Sequence, residues 1–414
     1  MNKTAAERPV LVAGGGIGGL AAALALVRQG LRVQVFEQAP DIGEIGAGIQ
    51  LGPNAFHAFD ALGVGPQARA RAVYTDSMVM HDAVDASLVG RIETGAAFRA
   101  RFGNPYAVIH RADVHRSLFE GAQASGDVAF FTSTRIVQVE QDEAAGTVTA
   151  IDQHGRRWPG QALIGADGVK SVVRQQYVGD PHRVTGHVVY RAVVDQADFP
   201  DDLKWNAASL WAGPKCHLVH YPLRGGEQYN VVVTFHSRQS EQWGVTDGSK
   251  AEVESYFQGI CPQARQLIDL PRSWKRWATA DKEPIEQWVF GRVTLLGDAA
   301  HPTTQYMAQG ACMAMEDAVT LGEALRVTQH DWPAALALYQ RSRVARTGRI
   351  VLSSREMGRL YHATGVERLI RNQLWHNRPQ QRFYDALEWL YGWTVDNCLS
   401  PAAVTPHATE ETTR

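Results

Sequence analysis

The feature that most constrains this chain is a run of glycines near its start. Residues 14–19 read Gly-Gly-Gly-Ile-Gly-Gly and follow a short apolar run at residues 10–13. A segment rich in Ala and Leu comes next, at residues 20–29, and a second strand-like run then ends at Glu37. Strand, glycine turn, helix and strand in this order predict a βαβ unit, and therefore an α/β fold built on a parallel sheet.

The glycine run has the G-x-G-x-x-G spacing of a dinucleotide cradle. Gly14 would permit the tight turn, Gly16 would let a pyrophosphate approach the backbone, and Gly19 would let the helix pack on the strand. The N-terminus of the helix would stabilise the phosphate charge, and Glu37 would accept hydrogen bonds from the ribose hydroxyls. Such a run can also be only a turn, but its position between a strand and a helix predicts dinucleotide binding.

Two further segments pair Gly with Asp. Residues 165–168 read Gly-Ala-Asp-Gly, and residues 297–302 read Gly-Asp-Ala-Ala-His-Pro. Asp298 follows an apolar run and precedes a loop that contains Gly310 and Ala311. A helix that begins there would present N–H groups and its positive end to the anionic edge of a flavin. Asp298 is also consistent with a helix cap, but the three segments in this order indicate FAD.

Size and composition limit the possible functions. The chain has 414 residues, which is enough for two interleaved domains. Its formal net charge of −2 gives no field that would attract nucleic acid or an anionic membrane. The apolar stretch at residues 20–27 is too short to span a bilayer and is misplaced for a signal peptide. We therefore expect a cytoplasmic protein without nucleic-acid partners or a transmembrane segment.

The cysteines and histidines do not form a metal-binding pattern. The four cysteines are far apart and favour reduced, buried thiols over a disulfide framework or a zinc site: Cys216, Cys261, Cys312 and Cys398. The 15 histidines include no His-Glu-x-x-His motif. We expect no metal cofactor.

The predicted secondary structure changes twice along the chain, which predicts discontinuous domains. Residues 188–235 read mainly as short strands with a Gly225-Gly226 hairpin turn, and residues 250–268 read as a helical interval. We predict an α/β protein, α+β overall, in which a mainly antiparallel substrate-binding sheet is inserted into a Rossmann-like FAD-binding domain. The predicted parts are residues 1–75, 106–180 and 281–370 for the FAD-binding domain, 76–105 and 181–280 for the substrate-binding domain, 371–404 for a helical C-terminal region, and 405–414 for a disordered tail.

The three segments together, with Ser171 and Arg174 beside the middle one, resemble the fingerprints of the single-component, FAD-dependent aromatic hydroxylases of the para-hydroxybenzoate hydroxylase fold family. The resemblance spans about residues 8–370. The FAD-binding residues that it implies are Gly14, Gly16, Gly19, Glu37, Gln38, Ala47, Gly48, Arg111, Asp298, Gly310, Ala311 and Cys312.

The resemblance also implies how these groups are used. Glu37 would bind the adenosine ribose, Arg111 the phosphate or ribityl region, and Asp298 the ribityl chain. The isoalloxazine edge would meet residues 310–312, while Asp167 would act structurally near the pyrophosphate and in the response to the nicotinamide cofactor. Because the chain has one dinucleotide fingerprint, NADH or NADPH would dock transiently, reduce the flavin and leave. Reduced flavin and O₂ would form a C4a-hydroperoxide that hydroxylates an electron-rich ring.

Residues 215–221 supply a candidate base for such a reaction. Side chains alternate along a strand, so His217 and Tyr221 would share one face while His220 lies on the other. Phenolate is more nucleophilic than phenol, which gives a general base in the pocket a purpose. His217 is also consistent with a structural histidine bonded to a carbonyl, and His220 is the weaker candidate for the base.

Gln305 lies between the Asp298 loop and Gly310, near the reactive end of the flavin if both loops bind it. A neutral amide can hold a phenolic oxygen without competing for the proton, although a solvated loop glutamine is also possible. Within the family, the chain resembles enzymes that convert 3-hydroxybenzoate to 2,5-dihydroxybenzoate (gentisate) with NADH. That resemblance implies that His217 deprotonates the phenol and that Gln305 positions the ring for attack para to it. The implied substrate contacts are Tyr221 and Tyr306.

Other functions stay open at this point. Salicylate 1-hydroxylases share the framework, but a proline commonly stands in the place of Gln305, which argues against salicylate. Another hydroxybenzoate or hydroxynicotinate hydroxylase, a flavin dehydrogenase or oxidase without oxygen insertion, and a non-catalytic binding module are further alternatives. A homodimer is plausible from the resemblance, and the aromatic run at residues 389–393 fits an interface or a packed helix end equally well.

Overall fold

A computed structural model describes residues 7–43 and 47–400 of the chain. The tail at residues 405–414, which the sequence predicts to be disordered, lies outside the described residues. Within the described ranges the strands form four sheets, and strands and helices are numbered here in chain order. None of the helices in this part of the chain is long and apolar enough to cross a membrane.

The first sheet has six strands and contains the predicted βαβ unit. Its strands are β1 (Val10–Ala13), β2 (Val33–Phe36), β8 (Val128–Phe131), β12 (Ala162–Gly165), β19 (Val289–Phe290) and β20 (Val293–Leu295). They lie in the order β19-β20-β12-β1-β2-β8, and all neighbours are parallel except the antiparallel pair β19 and β20. The central strands are apolar and buried along their whole length, as expected for a sheet covered on both faces.

The second sheet has eight strands and is mainly antiparallel. Its strands are β5 (Ser77–Asp82), β6 (Leu88–Glu93), β13 (Arg183–Asp195), β14 (Ala207–Gly213), β15 (Cys216–Leu223), β16 (Gln228–His236), β17 (Gly244–Gly248) and β18 (Trp274–Asp281). Their order is β17-β18-β13-β16-β15-β14-β5-β6, with one parallel pair, β14 and β5. The predicted hairpin joins β15 to β16, where Gly225 has a φ of 68°. The predicted fold class is confirmed.

Two small sheets complete the β structure. One contains β9 (Ile136–Asp142), β10 (Thr147–Asp152) and β11 (Arg157–Gly160), and the other contains β3 (Gly48–Leu51), β4 (Val73–Tyr74) and β7 (Ala107–His110). The second small sheet matters for the site because β3 runs antiparallel to β7 and brings Gly48 opposite His110. The exact domain boundaries stay a prediction.

The helices pack against both large sheets and form the C-terminal region. They are α1 (Ile17–Val27), α2 (Pro53–Ala61), α3 (Gly65–Arg71), α4 (Ala96–Phe102), α5 (Arg111–Ala124), α6 (Val172–Tyr177), α7 (Lys250–Tyr256), α8 (Pro262–Asp269), α9 (Gly310–Val327), α10 (Trp332–Tyr361), α11 (Gly365–Trp375) and α12 (Gln380–Tyr391). The helical interval predicted at residues 250–268 contains two helices, because the first helix ends at Tyr256 and the second begins at Pro262. Gly259 has a φ of 70° there, and Pro262 stands at the start of α8, where its missing N–H costs nothing.

The C-terminal helices are packed on the rest of the molecule by aromatic side chains. Tyr384 and Tyr391 of α12 contact Phe98 and Phe102 of α4, mostly edge to face, with ring centroids 5.7 to 6.0 Å apart. Such pairs contribute roughly 0.5–1.5 kcal/mol each beyond the area that they bury. This packing joins α12 to α4.

Candidate active site

A cavity of about 1250 Å³ is lined by residues of the eight-stranded sheet, of the loops that follow strands of the six-stranded sheet, and of the C-terminal helices. Many of the residues predicted from the sequence line it: Gly16, Ala47, Gly48, Arg111, His217, Tyr221, Asp298, Gln305, Tyr306, Gly310 and Ala311. Five predicted residues are not part of its lining: Gly14, Gly19, Glu37, Gln38 and Cys312. Most of the predicted cofactor and substrate residues therefore lie around one cavity, and the other five lie outside its lining.

The glycine turn leads the chain from β1 into α1 at one end of the cavity. Gly14 has a φ of 105°, and a Cβ there would overlap the carbonyl oxygen of Ala166 in the second segment. A Cβ at Gly19 would overlap the carbonyl oxygen of Gly14. These glycines let the first and second segments pack backbone against backbone, while Gly16, the N-cap of α1, faces the cavity.

Glu37 supports the turn from behind. Its carboxylate accepts the N–H of Gly15 and the N–H of Ala39, both at 2.8 Å. Each oxygen keeps a lone pair that a hydroxyl could use. His115, which the sequence analysis did not single out, donates from Nε2 to the carbonyl of Gly15 at 2.8 Å and fixes the turn from α5. Gln38 is exposed beside the turn.

The cavity lies between two helix N-termini, and this arrangement fits FAD. Gly16 and Gly18 at the start of α1 line one end, and Gly310 and Ala311 at the start of α9 line another part. The first turn of a helix carries N–H groups without partners inside the helix and a positive dipole end. A dinucleotide with a pyrophosphate and an anionic flavin edge needs such donors at two separate places. Arg111, the first residue of α5, also lines this space.

Arg174 connects the second and third segments. Its N–H is capped by the hydroxyl of Ser171 at 2.9 Å. Its buried guanidinium donates to the carbonyls of Ala299 and Ala300 at 3.2 and 2.5 Å and pairs with Asp180 at 2.6 Å. Burial alone would raise the pKa of Asp180, but hydrogen bonds from Arg174 and Lys282 lower it. The motif residue Arg174 thus holds the loop that begins with Asp298.

A buried ionic network anchors the same loop from the side of α9. Asp317 accepts the N–H of Gly297 at 3.0 Å, pairs with His301 at 2.6 Å and pairs with Arg343 of α10 at 2.6 Å. Burial would raise the pKa of Asp317, but its interactions with His301 and Arg343 lower it to about 2. The adjacent Glu316 pairs with Arg343 at 2.7 Å. This network was not predicted from the sequence, although the adjacent Glu316 and Asp317 inside a largely apolar helix were its signal.

Strand β15 presents its side chains as the alternation predicts. His217 and Tyr221 line the cavity, whereas His220 is buried on the other face, where its Nδ1 accepts the indole N–H of Trp211 at 3.3 Å. Nδ1 of His217 lies 2.8 Å from Nε2 of His362. Burial lowers the pKa of His217 to about 3, with a smaller contribution from His187. His217 is therefore a neutral imidazole at the wall of the cavity.

Gln305 and Tyr306 lie next to His217. Gln305 donates from Nε2 to the hydroxyl of Thr234 at 3.5 Å, and Thr234 is the cross-strand partner of His217. The Tyr306 ring centroid is 5.4 Å from that of His217. Its hydroxyl is bonded to Nδ1 of His187 at 2.6 Å, and burial raises its pKa. A neutral base and a neutral amide thus stand side by side near the N-terminus of α9.

Two side chains differ from what the sequence suggested. The thiol of Cys312 is buried outside the cavity lining, where burial raises its pKa to about 12. Arg191 lines the cavity but was not singled out. Its guanidinium lies 5.7 Å from the Trp277 ring, and burial lowers its pKa. Its position inside a single long strand gave no local signal.

A nucleotide cradle, a loop held by Arg174 and a pocket with a neutral histidine define a flavoprotein that modifies a small aromatic molecule. The family model described as "FAD binding domain" matches residues 7–354, and the chain belongs to this family. The resemblance to the FAD-dependent aromatic hydroxylases is confirmed. The chain is a flavoprotein aromatic monooxygenase, and its cofactor is FAD.

Individual relatives and solved structures agree with this class. The chain is 78% identical over 400 residues to a 3-hydroxybenzoate 6-hydroxylase from Polaromonas naphthalenivorans (strain CJ2), covering 97% of this chain and 100% of the relative. It is 62% identical over 389 residues to one from Klebsiella oxytoca, covering 94% and 98%. A salicylate hydroxylase in a substrate complex superimposes with a TM-score of 0.80 at 27% identity, covering 96% of this chain and 98% of that chain. Klebsiella pneumoniae HpxO in complex with FAD and uric acid superimposes with a TM-score of 0.81 at 27% identity. The match covers 95% of this chain and 97% of that chain.

Proposed function

We propose that this protein hydroxylates 3-hydroxybenzoate para to its phenol, with NADH and O₂, and releases 2,5-dihydroxybenzoate. The observation that carries the proposal is the juxtaposition of His217 with Gln305 in a cavity that also meets the N-terminus of α9. Relatives named 3-hydroxybenzoate 6-hydroxylase, at 78% and 62% identity over nearly the whole chain, support it.

His217 acts as the general base in this proposal. A buried neutral imidazole can accept the phenol proton at Nε2, because Nδ1 is engaged with His362. The phenolate that results stabilises the imidazolium through its opposite charge. Deprotonation raises the electron density of the ring at the position para to the oxygen, which is the position that 2,5-dihydroxybenzoate formation requires.

Gln305, Tyr221 and Tyr306 position the ring. The Gln305 amide can bind the phenolic oxygen without taking its proton, and Tyr221 forms a wall of the cavity opposite the backbone of Gly48. Tyr306 keeps its own proton because burial raises its pKa, so it does not compete with His217 as a base. These groups exclude water from one side of the ring and fix the carbon that reacts.

The FAD that this cavity would hold supplies the activated oxygen atom. Gly16 and Gly18 would face the pyrophosphate, and Gly310 and Ala311 would face the flavin edge. Glu37 would accept hydrogen bonds from the ribose hydroxyls. The same carboxylate oxygens also accept the N–H groups of Gly15 and Ala39. NADH would reduce the flavin from outside, since the described chain has a single glycine cradle of this kind. The expected homodimer stays a prediction.

The product decides the proposal. Purified protein with FAD is incubated with NADH, O₂ and 3-hydroxybenzoate, and the mixture is separated by liquid chromatography. We expect 2,5-dihydroxybenzoate in an amount that approaches the NADH consumed. Catechol from salicylate, with 3-hydroxybenzoate untouched, would move the assignment to a salicylate hydroxylase. NADH oxidation without any oxygenated product from either acid would indicate an oxidase or dehydrogenase.

A further inference from the structure

A second histidine stands directly behind the proposed base. His362 is the C-cap of α10 and does not line the cavity, and its Nε2 lies 2.8 Å from Nδ1 of His217. Its carbonyl accepts the N–H of Lys215 at 3.0 Å, two residues before His217 on the chain. The end of α10 and the start of β15 are therefore joined by the backbone as well as by the imidazole pair.

The proton shared by this pair decides what His217 can do. If Nδ1 of His217 carries it, Nε2 has a free lone pair toward the cavity and can act as a base. If Nε2 of His362 carries it, Nε2 of His217 must hold a proton and can only donate. The partner of His217 thus selects between a base and a hydrogen-bond donor.

The far side of His362 leads toward the surface. In residues 7–43 and 47–400, its Nδ1 is buried and has no hydrogen-bond partner. The His362 and His187 ring centroids are 5.1 Å apart, and those of His187 and His236 are 5.0 Å apart. His236, at the end of β16, is exposed. Three imidazoles thus follow His217 in the direction of solvent, on α10, β13 and β16.

The surroundings of His362 disfavour its protonated, positively charged form. Burial lowers its pKa well below the usual value, and the positive charge of Arg371 and the neighbouring imidazoles act in the same direction. The hydroxyl of Tyr306 is hydrogen-bonded to His187 and keeps its proton, because burial raises the pKa of Tyr306. A proton that reaches His362 from the cavity therefore passes on or returns.

We propose that His362 is a positioning residue that sets the tautomer of His217 and carries the phenol proton away from the cavity, an inference that rests on the hydroxylase function proposed above. Nε2 of His217 takes the phenol proton, its Nδ1 proton moves to Nε2 of His362, and Nδ1 of His362 passes its proton to the neighbouring imidazole of His187 and from there toward the exposed His236. One proton leaves, the pair ends neutral, and Nε2–H of His217 then donates to the phenolate. The reverse transfer resets the pair when the product phenol forms.

The test measures phenol ionisation without turnover. FAD-loaded enzyme is mixed with 3-hydroxybenzoate in the absence of NADH, and phenolate formation and proton release are followed by stopped-flow absorbance with a pH indicator between pH 6 and 9. We expect His362→Gln to slow proton release about tenfold or more. Binding of 3-methoxybenzoate, which has no phenol proton, should stay within about twofold of the wild type, because the variant keeps the cavity wall. His376→Gln, the C-cap of α11, is the matched control with wild-type rates.

A chemical role and a structural role give different results. In His362→Ala, added imidazole should restore part of the proton-release rate, since it can occupy the space of the missing ring. Wild-type rates and pH profile in His362→Gln would overturn the proposal. Equal weakening of 3-hydroxybenzoate and 3-methoxybenzoate binding without imidazole rescue would overturn it as well, whether or not the variant has lost stability. If the wild type forms no 2,5-dihydroxybenzoate, the proposed function fails independently of these variants.

Discussion

At the scale of single residues, Gly48 is the position where the cavity wall leaves no room for a side chain. A Cβ there would lie 2.6 Å from Cε2 of Tyr221 and 2.9 Å from Cγ of Asn230. The N–H of Gly48 donates to Oδ1 of Asn230 at 2.9 Å, so β3 cannot retreat without losing a buried hydrogen bond. The contact sets how far the Tyr221 ring extends into the cavity.

Gly48→Ala should therefore weaken substrate binding by displacing Tyr221. Overpacking of this kind costs about 1–3 kcal/mol, which corresponds to an increase in Kd of roughly tenfold for a cost near 1.4 kcal/mol. The Kd for 3-hydroxybenzoate is measured from the change in the flavin spectrum, and the FAD content from the absorbance of the released cofactor. Gly43→Ala is the control, because a Cβ at Gly43 meets nothing within 4 Å. An unchanged Kd in Gly48→Ala would contradict the role given to this contact.

The residues whose positions the sequence predicted are those that local geometry places. The glycine turn could be interpreted from its spacing because strand, turn and helix are adjacent in the chain, and the pairing of His217 with Tyr221 follows from strand alternation. The close approach of Gly48 to Tyr221, the His217 to His362 bond and the cavity position of Arg191 depend on segments far apart in sequence. The local sequence pattern does not predict such contacts.

At the scale of elements, α9 combines two tasks. Its N-terminus lines the cavity with Gly310 and Ala311, and its second turn carries Glu316 and Asp317. Asp317 binds the loop at Gly297 and the buried Arg343 of α10. The sequence predicted a helix that begins at the loop of Gly310 and Ala311, and α9 begins at Gly310. The interlock of helix and loop needs tertiary structure to be seen.

Asp317→Ala should destabilise the protein and loosen FAD together. Removing one partner of a buried ion pair costs about 3–5 kcal/mol, and Glu316, which also pairs with Arg343, offsets part of this loss. The loop of Asp298 also loses its anchor at Gly297, so FAD should dissociate more readily. Both effects are measured by urea unfolding and by cofactor retention on gel filtration. Glu323→Ala removes the exposed Glu323–Arg326 pair of the same helix and should cost about 0–1 kcal/mol.

If Asp317→Ala retained wild-type stability, the network would not hold the loop. Loss of stability with full FAD retention would separate the two tasks of α9 and contradict their coupling.

The position of this network also explains why the third sequence segment is built as it is. Gly297 has a φ of 63°, so its backbone can turn its N–H toward Asp317 while Asp298 faces the cavity.

At the scale of the whole molecule, buried histidines and buried carboxylates respond to acid in different pH ranges. Burial lowers the pKa of His217 and of His220 to about 3, and that of His187 to about 4. In the unfolded chain a histidine titrates near 6.5. Between these values the unfolded state binds more protons, so the folded state loses stability as the pH falls below about 6.5. The low pKa of Asp317, about 2, acts only below about pH 4, where carboxylates in the unfolded chain become protonated.

The free energy of unfolding should therefore decrease steadily from pH 7 to pH 4.5, with a slope that counts the buried histidines. His220 is the best residue for the test, because it is buried in the sheet and lies outside the cavity lining. We expect His220→Gln to reduce the proton uptake on unfolding at pH 5 by about one proton. The uptake is obtained from urea unfolding at several pH values and constant ionic strength. His330→Asn, at an exposed turn after α9 where φ is 65°, should leave the slope unchanged. An unchanged slope in His220→Gln would mean that His220 is protonated in the folded protein at pH 5.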